Sequence, residues 1–254
     1  HGHRPIKILH LSDLHLTPKR KREISDIRSF SEFYPDLVIG TGDFLANQEA
    51  VETVVEALSN LLEIPGLYVF GSNDYFSPTF KNPLNYLLKS HNRTRLGEPL
   101  PWQNLQYSLT QKGWTDLRTS KMSLRIKDSV IEARGTDDAH LDLDNYELVR
   151  GAPVDCDISI GVTHAPYMRV INAMAEDKLN IIFAGHTHGG QIRLPWFGGS
   201  KAITNNCDLP LWRSRGLTKD KSQTWLNVSA GMGTSPYAPI RFACSPEVTL
   251  LTLY

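Results

Sequence analysis

The stretch Ile6-Lys7-Ile8-Leu9-His10-Leu11-Ser12-Asp13-Leu14-His15 joins a short apolar run to a polar loop in which Asp13 and His15 are both able to ligate a metal. A run this short, apolar at nearly every position, reads as a central strand buried on both faces. The arrangement recurs four times: Leu37-Val38-Ile39-Gly40 before Gly42-Asp43-Phe44, and Leu67-Tyr68-Val69-Phe70 before Ser72-Asn73-Asp74. Then come Ile158-Ser159-Ile160-Gly161-Val162 before Thr163-His164-Ala165, and Ile181-Ile182-Phe183-Ala184 before Gly185-His186-Thr187-His188. Between the first three runs, residues 23–33 and 49–62 have helical periodicity, the second placing Val51, Val54, Val55, Leu58, Leu61 and Leu62 largely on one face. Strands alternating with helices predict an α/β sheet. Ligands bind such sheets in the crevice at the carboxyl ends of the strands, so the five polar loops are expected to converge there.

From residue 105 to residue 134 the pattern changes to alternating segments such as Ser123-Leu124-Arg125-Ile126 and Val130-Ile131-Glu132-Ala133, and residues 248–253 also alternate. This predicts a second, mostly antiparallel sheet. Without repeats or low-complexity segments, and with Pro and Gly clusters at 98–101 and 235–239 reading as loops, residues 1–254 are expected to form a single domain.

The 254 residues carry 27 Lys and Arg against 27 Asp and Glu, so no net field draws the chain to nucleic acid or to an anionic surface, and any anionic substrate must be held by local charge. Cys156, Cys207 and Cys244 are odd in number and widely spaced, which reads as idle thiols rather than a disulfide framework. No apolar run is long enough to span a bilayer. The start at His1-Gly2-His3, without Met, marks residues 1–4 as the remnant of something removed or added. Loss of an upstream anchor or export signal fits a soluble domain that works in the cytoplasm or against a membrane.

Two aspartates and four histidines at one crevice supply hard oxygen and borderline nitrogen donors, a set that suits Mn, Zn or Fe, and also Ni or Co, better than Ca or Mg. Asp13 and His15 lie two apart, as do His186 and His188; in an extended segment each pair would point to one side. Gly185, Gly189 and Gly190 would let backbone approach the cluster.

These residues resemble the signature of the calcineurin-like metallophosphoesterases: Asp-x-His, Gly-Asp, Gly-Asn-His followed by Asp or Glu, a lone His, then Gly-His-x-His. Residues 185–195, Gly-His-Thr-His-Gly-Gly-Gln-Ile-Arg-Leu-Pro, are similar to a bacterial branch that includes cell-wall-associated and lipid-directed phosphoesterases. The resemblance implies a four-layer α/β/β/α sandwich holding two divalent ions. Asp13, His15, Asp43 and His188 would hold the first ion, and Asp43, His164 and His186 the second. It further implies hydrolysis of a phosphoester or pyrophosphate by a bridging hydroxide, on a phosphorylated small molecule or a lipid-linked, envelope-related substrate met by peripheral contact with a membrane.

The chain departs from the family at Gly71-Ser72-Asn73-Asp74. Ser72 stands where the family has its Asn ligand, and Asn73 where it has the His that stabilises the transition state or protonates the leaving oxygen, a role worth about 10² to 10⁴ in rate. Asn73 is expected either to bond a phosphoryl oxygen or to ligate the second metal. Asn73 and Asp74 are therefore the candidate catalytic residues, and Ser72 and Arg193 the candidate substrate contacts. A phospholigand sensor with weakened catalysis and a metal-dependent nuclease are the alternatives; charge neutrality and the lack of a basic, aromatic-interleaved face count against the nuclease.

Lesser features carry paired readings. Lys19-Arg20-Lys21-Arg22 is either a solvated face or a contact for an anionic head group. Leu194-Pro195-Trp196-Phe197-Gly198-Gly199 and Leu211-Trp212 are either core or an apolar lip. Thr234-Ser235-Pro236 lies past the metal motifs, Arg241 reads as a surface ion pair or a phosphate clamp, and His91 and His140, which follow no clear strand, read as surface residues unless one reaches the cleft.

Overall fold

A computed structural model of the chain describes residues 4–79, 96–196, 199–219, 222–236 and 240–254; His91 and the Phe197-Gly198 part of the proposed lip lie outside them. The first sheet has the order β13-β1-β2-β3-β4, formed by β1 (Ile6–Leu11), β2 (Leu37–Thr41), β3 (Gly66–Val69), β4 (Thr115–Asp116) and β13 (Thr249–Leu253). The first four strands are parallel, and β13 runs antiparallel to β1, with Ile6 opposite Leu253 and Leu9 opposite Leu250. Three helices, α1 (Lys21–Ser29), α2 (Ala50–Leu58) and α4 (Trp102–Gln111), carry apolar residues of one core with the strands of this sheet; α3 is the single turn Ser72–Tyr75 after β3.

The second sheet has the order β11-β12-β8-β7-β6-β5, formed by β5 (Lys121–Ile126), β6 (Ser129–Gly135), β7 (Ile158–Val162), β8 (Ile181–Ala184), β11 (Gly216–Lys219) and β12 (Trp225–Val228). Its outer layer includes α5 (Met168–Glu176), which crosses over from β7 to β8. A separate hairpin pairs β9 (Arg193–Trp196) with β10 (Gly199–Ala202).

The side-chain period of two explains why the apolar runs are continuous. In β1, Ile6 and Ile8 belong to the core between the sheets while Leu9 and Leu11 face the helices. In β8, Ile181 and Phe183 face the partner sheet and Ile182 and Ala184 the outer layer. Each run thus serves two cores, and the layers stack α/β/β/α.

Three expectations need correction. The second sheet is not mostly antiparallel: β6, β7, β8 and β12 are mutually parallel, and only its edge strands β5 and β11 run the other way. The α5 crossover imposes that parallel pairing, whereas β5 and β6 meet through the tight turn Lys127-Asp128. The 248–253 segment joins the first sheet, where Leu251 and Leu253 pack into the inter-sheet core. Residues 102–111 are helical because Leu105 and Leu109 recur four apart and both are buried. The three cysteines are free thiols, and among the described residues no helix is long and apolar enough to cross a membrane.

Candidate metal centre

The parallel pairing of β1 and β2 continues past the strands. Asp13 N–H donates to the Gly42 carbonyl at 2.9 Å and His15 N–H to that of Asp43 at 2.9 Å, so the two polar loops run side by side. The loops after β7 and β8 are tied likewise, Gly185 N–H donating to the His164 carbonyl at 2.9 Å. The bonds that join the sheets here include His164 Nδ1–H to the Thr41 carbonyl at 2.6 Å and His186 N–H to Asp13 Oδ2 at 3.0 Å.

The convergence does not come from strand alternation. Asp13, His15, Asp43, His186 and His188 all have positive φ, between 43° and 66°. That left-handed conformation costs on the order of 1 kcal/mol or more at a residue with a Cβ. Five such residues in one crevice show that the fold holds these side chains in positions local preference opposes. Gly71 and Gly185 allow the packing: a Cβ at Gly71 would lie 2.6 Å from the His164 ring, and one at Gly185 2.6 Å from Asp13 Oδ2.

The donors form two facing pairs with a carboxylate between them. His15 Nε2 lies 3.4 Å from His188 Nε2, and His164 Nε2 lies 3.3 Å from His186 Nδ1. Asp43 reaches both pairs, Oδ2 at 3.6 Å from His15 Nε2 and Oδ1 at 3.5 Å from His164 Nε2. Asp13 Oδ1 lies 3.6 Å from His188 Nε2. Two clusters, Asp13–His15–His188 and Asp13–Asp43–His164, bring their ligand atoms within 4.8 Å of one another.

Burial lowers the His15 pKa to about 4, and burial with the nearby Arg241 lowers that of His188 to about 3, so both imidazoles are neutral at pH 7. For His164 burial acts downward, but Asp43, Asp13 and Asp138 outweigh it and raise the value to about 9. Burial alone would raise Asp43; His164, His15 and the Asn73 bonds hold it down at about 2. The neutral His15 and His188 hold at most one proton between their facing nitrogens and so present a lone pair beside the ionised Asp43. At the His164–His186 gap the surrounding carboxylates favour positive charge, which a bound cation would supply in place of the His164 proton. This donor set fits a cation at each gap.

Asn73 lies against Asp43, its N–H donating to Oδ1 at 2.8 Å and its Nδ2 to Oδ2 at 2.7 Å. Ser72 is half-buried in the same turn, and its carbonyl accepts from Phe76 N–H. Asp74 is fully buried and takes four backbone N–H donors: Asp43 and Gly71 on Oδ2, Phe44 and Leu45 on Oδ1, at 2.8 to 3.0 Å. Both of its oxygens are committed to holding the Asp43 loop.

Arg193 is engaged with backbone, bonding the Gly189 and Ser200 carbonyls at 2.6 Å each. Arg241 is not a surface ion pair: its Nη2 lies 3.4 Å from His188 Nδ1, at the edge of the metal centre. It donates to the Ala230, Gly231 and Gly233 carbonyls, and Gly233 N–H in turn bonds the Asp13 carbonyl at 2.7 Å. Arg20 extends this tie, donating to the Thr234 carbonyl at 3.0 Å, while Lys19, Lys21 and Arg22 are exposed.

His140, expected at the surface unless it reached the cleft, does reach it. It is half-buried, its ring centroid 4.6 Å from that of His186, and its Nδ1 lies 3.1 Å from the Tyr167 hydroxyl. The loop after β6 brings it there together with the buried Asp138, while Asp137 accepts from the Tyr75 hydroxyl at 2.7 Å. The signal was present: Asp137-Asp138-Ala139-His140 follows an alternating strand just as the other polar loops follow theirs.

A calcineurin-like phosphoesterase profile matches residues 6–190. YkuE, a metallophosphoesterase of Bacillus subtilis (strain 168), is 28% identical over all of this chain and 80% of its own length. A Bos taurus transmembrane protein with a metallophosphoesterase domain is 27% identical over 98% of this chain and 53% of its own. Among solved structures, an archaeal phosphodiesterase is similar at a TM-score of 0.43 with 14% identity, covering 98% of this chain and all of that one.

Proposed function

The chain belongs to the calcineurin-like phosphoesterase family and is a metal-dependent phosphoester hydrolase, and from that premise we propose that it works through a dinuclear centre shared by Asp43. The observation that carries this is Asp43 lying between two facing imidazole pairs, 3.6 Å from His15 and 3.5 Å from His164. Asp13, His15, Asp43 and His188 would hold one ion, and Asp43, His164, His186 and the Asn73 amide oxygen the other, with Mn, Zn or Fe suiting the donors. When bound, two such ions supply Lewis acidity and an activated water for in-line attack at phosphorus.

The protein's own part is positioning. The Thr41 carbonyl accepts a hydrogen bond from His164 Nδ1–H and so leaves Nε2 as the atom that would ligate a metal. Asp74 fixes the Asp43 loop, and Asn73 anchors itself on Asp43. The substrate in this reading is a phosphoester or pyrophosphate, with a lipid-linked phosphate favoured because a relative is a transmembrane protein. A panel of phosphomonoesters, diesters, nucleotide diphosphates and lipid phosphates, assayed with Mn, Zn and Fe, tests it. Inactivity throughout, with metal bound, would favour the reading as a phospholigand sensor instead.

Site by site, His186→Ala and His164→Ala are expected to empty the second position preferentially, and His15→Ala and His188→Ala the first. Elemental analysis with metal-titration curves distinguishes the two groups, and identical curves for all four variants would refute the assignment.

Asn73 cannot serve as a proton donor, so leaving groups that need protonation should react slowly. Nitrophenyl esters and pyrophosphates are expected to turn over about 10² to 10⁴ times faster than alkyl phosphates, and Ser72→Asn with Asn73→His should narrow that gap. The readout is kcat/KM against leaving-group pKa at matched metal content. A shallow dependence in the parent protein would mean that another group supplies the proton, and His140, against His186, is the residue placed for it.

A further inference from the structure

Ile192, just before β9, and Leu194 and Trp196 within it occupy alternate positions, so the side chains of Leu194 and Trp196 share one face of the hairpin. That face is not core: Leu194 is 55% and Trp196 60% exposed. The opposite face is strapped down by Arg193, which bonds Gly189 beside the last imidazole loop and Ser200 on β10. Phe242, bridged to Ile192 and 54% exposed, extends the apolar surface on one side. On the other, Leu211 and Trp212, 41% and 64% exposed, lie in a turn packed beside β10. A contiguous apolar surface this close to a reaction centre marks an interaction site rather than scattered exposure.

Lysines stand beside this face in a chain that is neutral overall. Lys201 sits opposite Leu194 and holds its Nζ 4.1 Å from the Trp196 ring centroid. The exposed Lys19, Lys21 and Arg22 flank the segment that Arg20 ties to Thr234, on the same side as Arg241 and Phe242. Tryptophan beside lysine, with apolar side chains between, is the chemistry of a surface that sits in a lipid headgroup layer, and the cations select anionic lipid.

We propose that the β9–β10 face docks the protein on an anionic bilayer, so that the metal centre meets phosphoesters in the headgroup layer. This rests on the lipid-linked reading of the substrate, but it is tested without turnover. The metal-loaded full chain is sedimented with vesicles of phosphatidylcholine alone and with about a quarter phosphatidylglycerol. Binding to the anionic vesicles is expected, weakening with salt. Leu194→Glu with Trp196→Glu should lower the partition coefficient at least tenfold, and Lys19→Glu with Lys21→Glu should weaken binding and flatten its salt dependence. Leu194→Ser with Trp196→Ser repeats the test without new charge, and an unchanged thermal midpoint shows that each variant is folded. The proposal is overturned if the parent protein ignores anionic vesicles, or if the hairpin variants bind as well as it does. A concentration-dependent dimer that the same variants dissociate would also overturn it, assigning the face to a second copy. Vesicle binding without hydrolysis of any lipid phosphate would remove the substrate reading and leave the docking face standing.

Discussion

Asp43→Asn is expected to lower kcat/KM by about 10³ and to reduce metal content in the same preparation, since losing several kcal/mol of charge stabilisation corresponds to that factor. The substitution keeps the shape of the side chain and removes a negative charge that reaches both imidazole pairs. It also leaves Asn73 with two donors aimed at a group that offers a single acceptor oxygen. Elemental analysis beside turnover of a nitrophenyl ester checks both effects, because a purely catalytic residue would lower turnover at constant metal. Full activity with an unchanged metal count would remove the shared-carboxylate centre altogether.

Asp74→Ala should destabilise the metal-free protein by roughly 3 kcal/mol or more, because four buried N–H groups lose their acceptor together. For a chain of this size that is a fall of about 10 °C in thermal midpoint. Asp74→Asn should show a smaller fall, since an amide retains one acceptor oxygen but turns two donors toward N–H groups. Both variants should also lose metal affinity, because the loop they loosen carries Asp43. The measurement is calorimetry of metal-free protein beside metal titration. If Asp74→Asn instead cost turnover alone, with midpoint and affinity intact, Asp74 would be a proton donor after all and Asn73 would be relieved of that question.

The five apolar runs and the polar residues at their ends were legible in the sequence because a parallel strand buried on both faces must be apolar throughout. For the same reason the family resemblance settled on Asp13, His15, Asp43, His164, His186 and His188, which the structure gathers into one crevice. The β6 loop escaped notice because its strand carries a buried ion pair, Glu132 with Arg134, that breaks the apolar pattern. Spacing suggested that Asp13 and His15 would point together along an extended chain, but their φ angles of 51° and 43° come from loops zipped against the Gly42 and Asp43 carbonyls.

Sequence alone therefore determined the strand order's raw material, the ligand types and the departure at Ser72-Asn73, since residue identity and local period depend only on near neighbours. Tertiary structure decided the rest. Asp74 became a clamp through partners about thirty positions away, His140 reached His186 across the second sheet, and the Leu194–Trp196 segment stayed exposed instead of entering a core. Each of these depends on which surfaces the two sheets bring together and which they leave to solvent, and no window of local sequence contains that information.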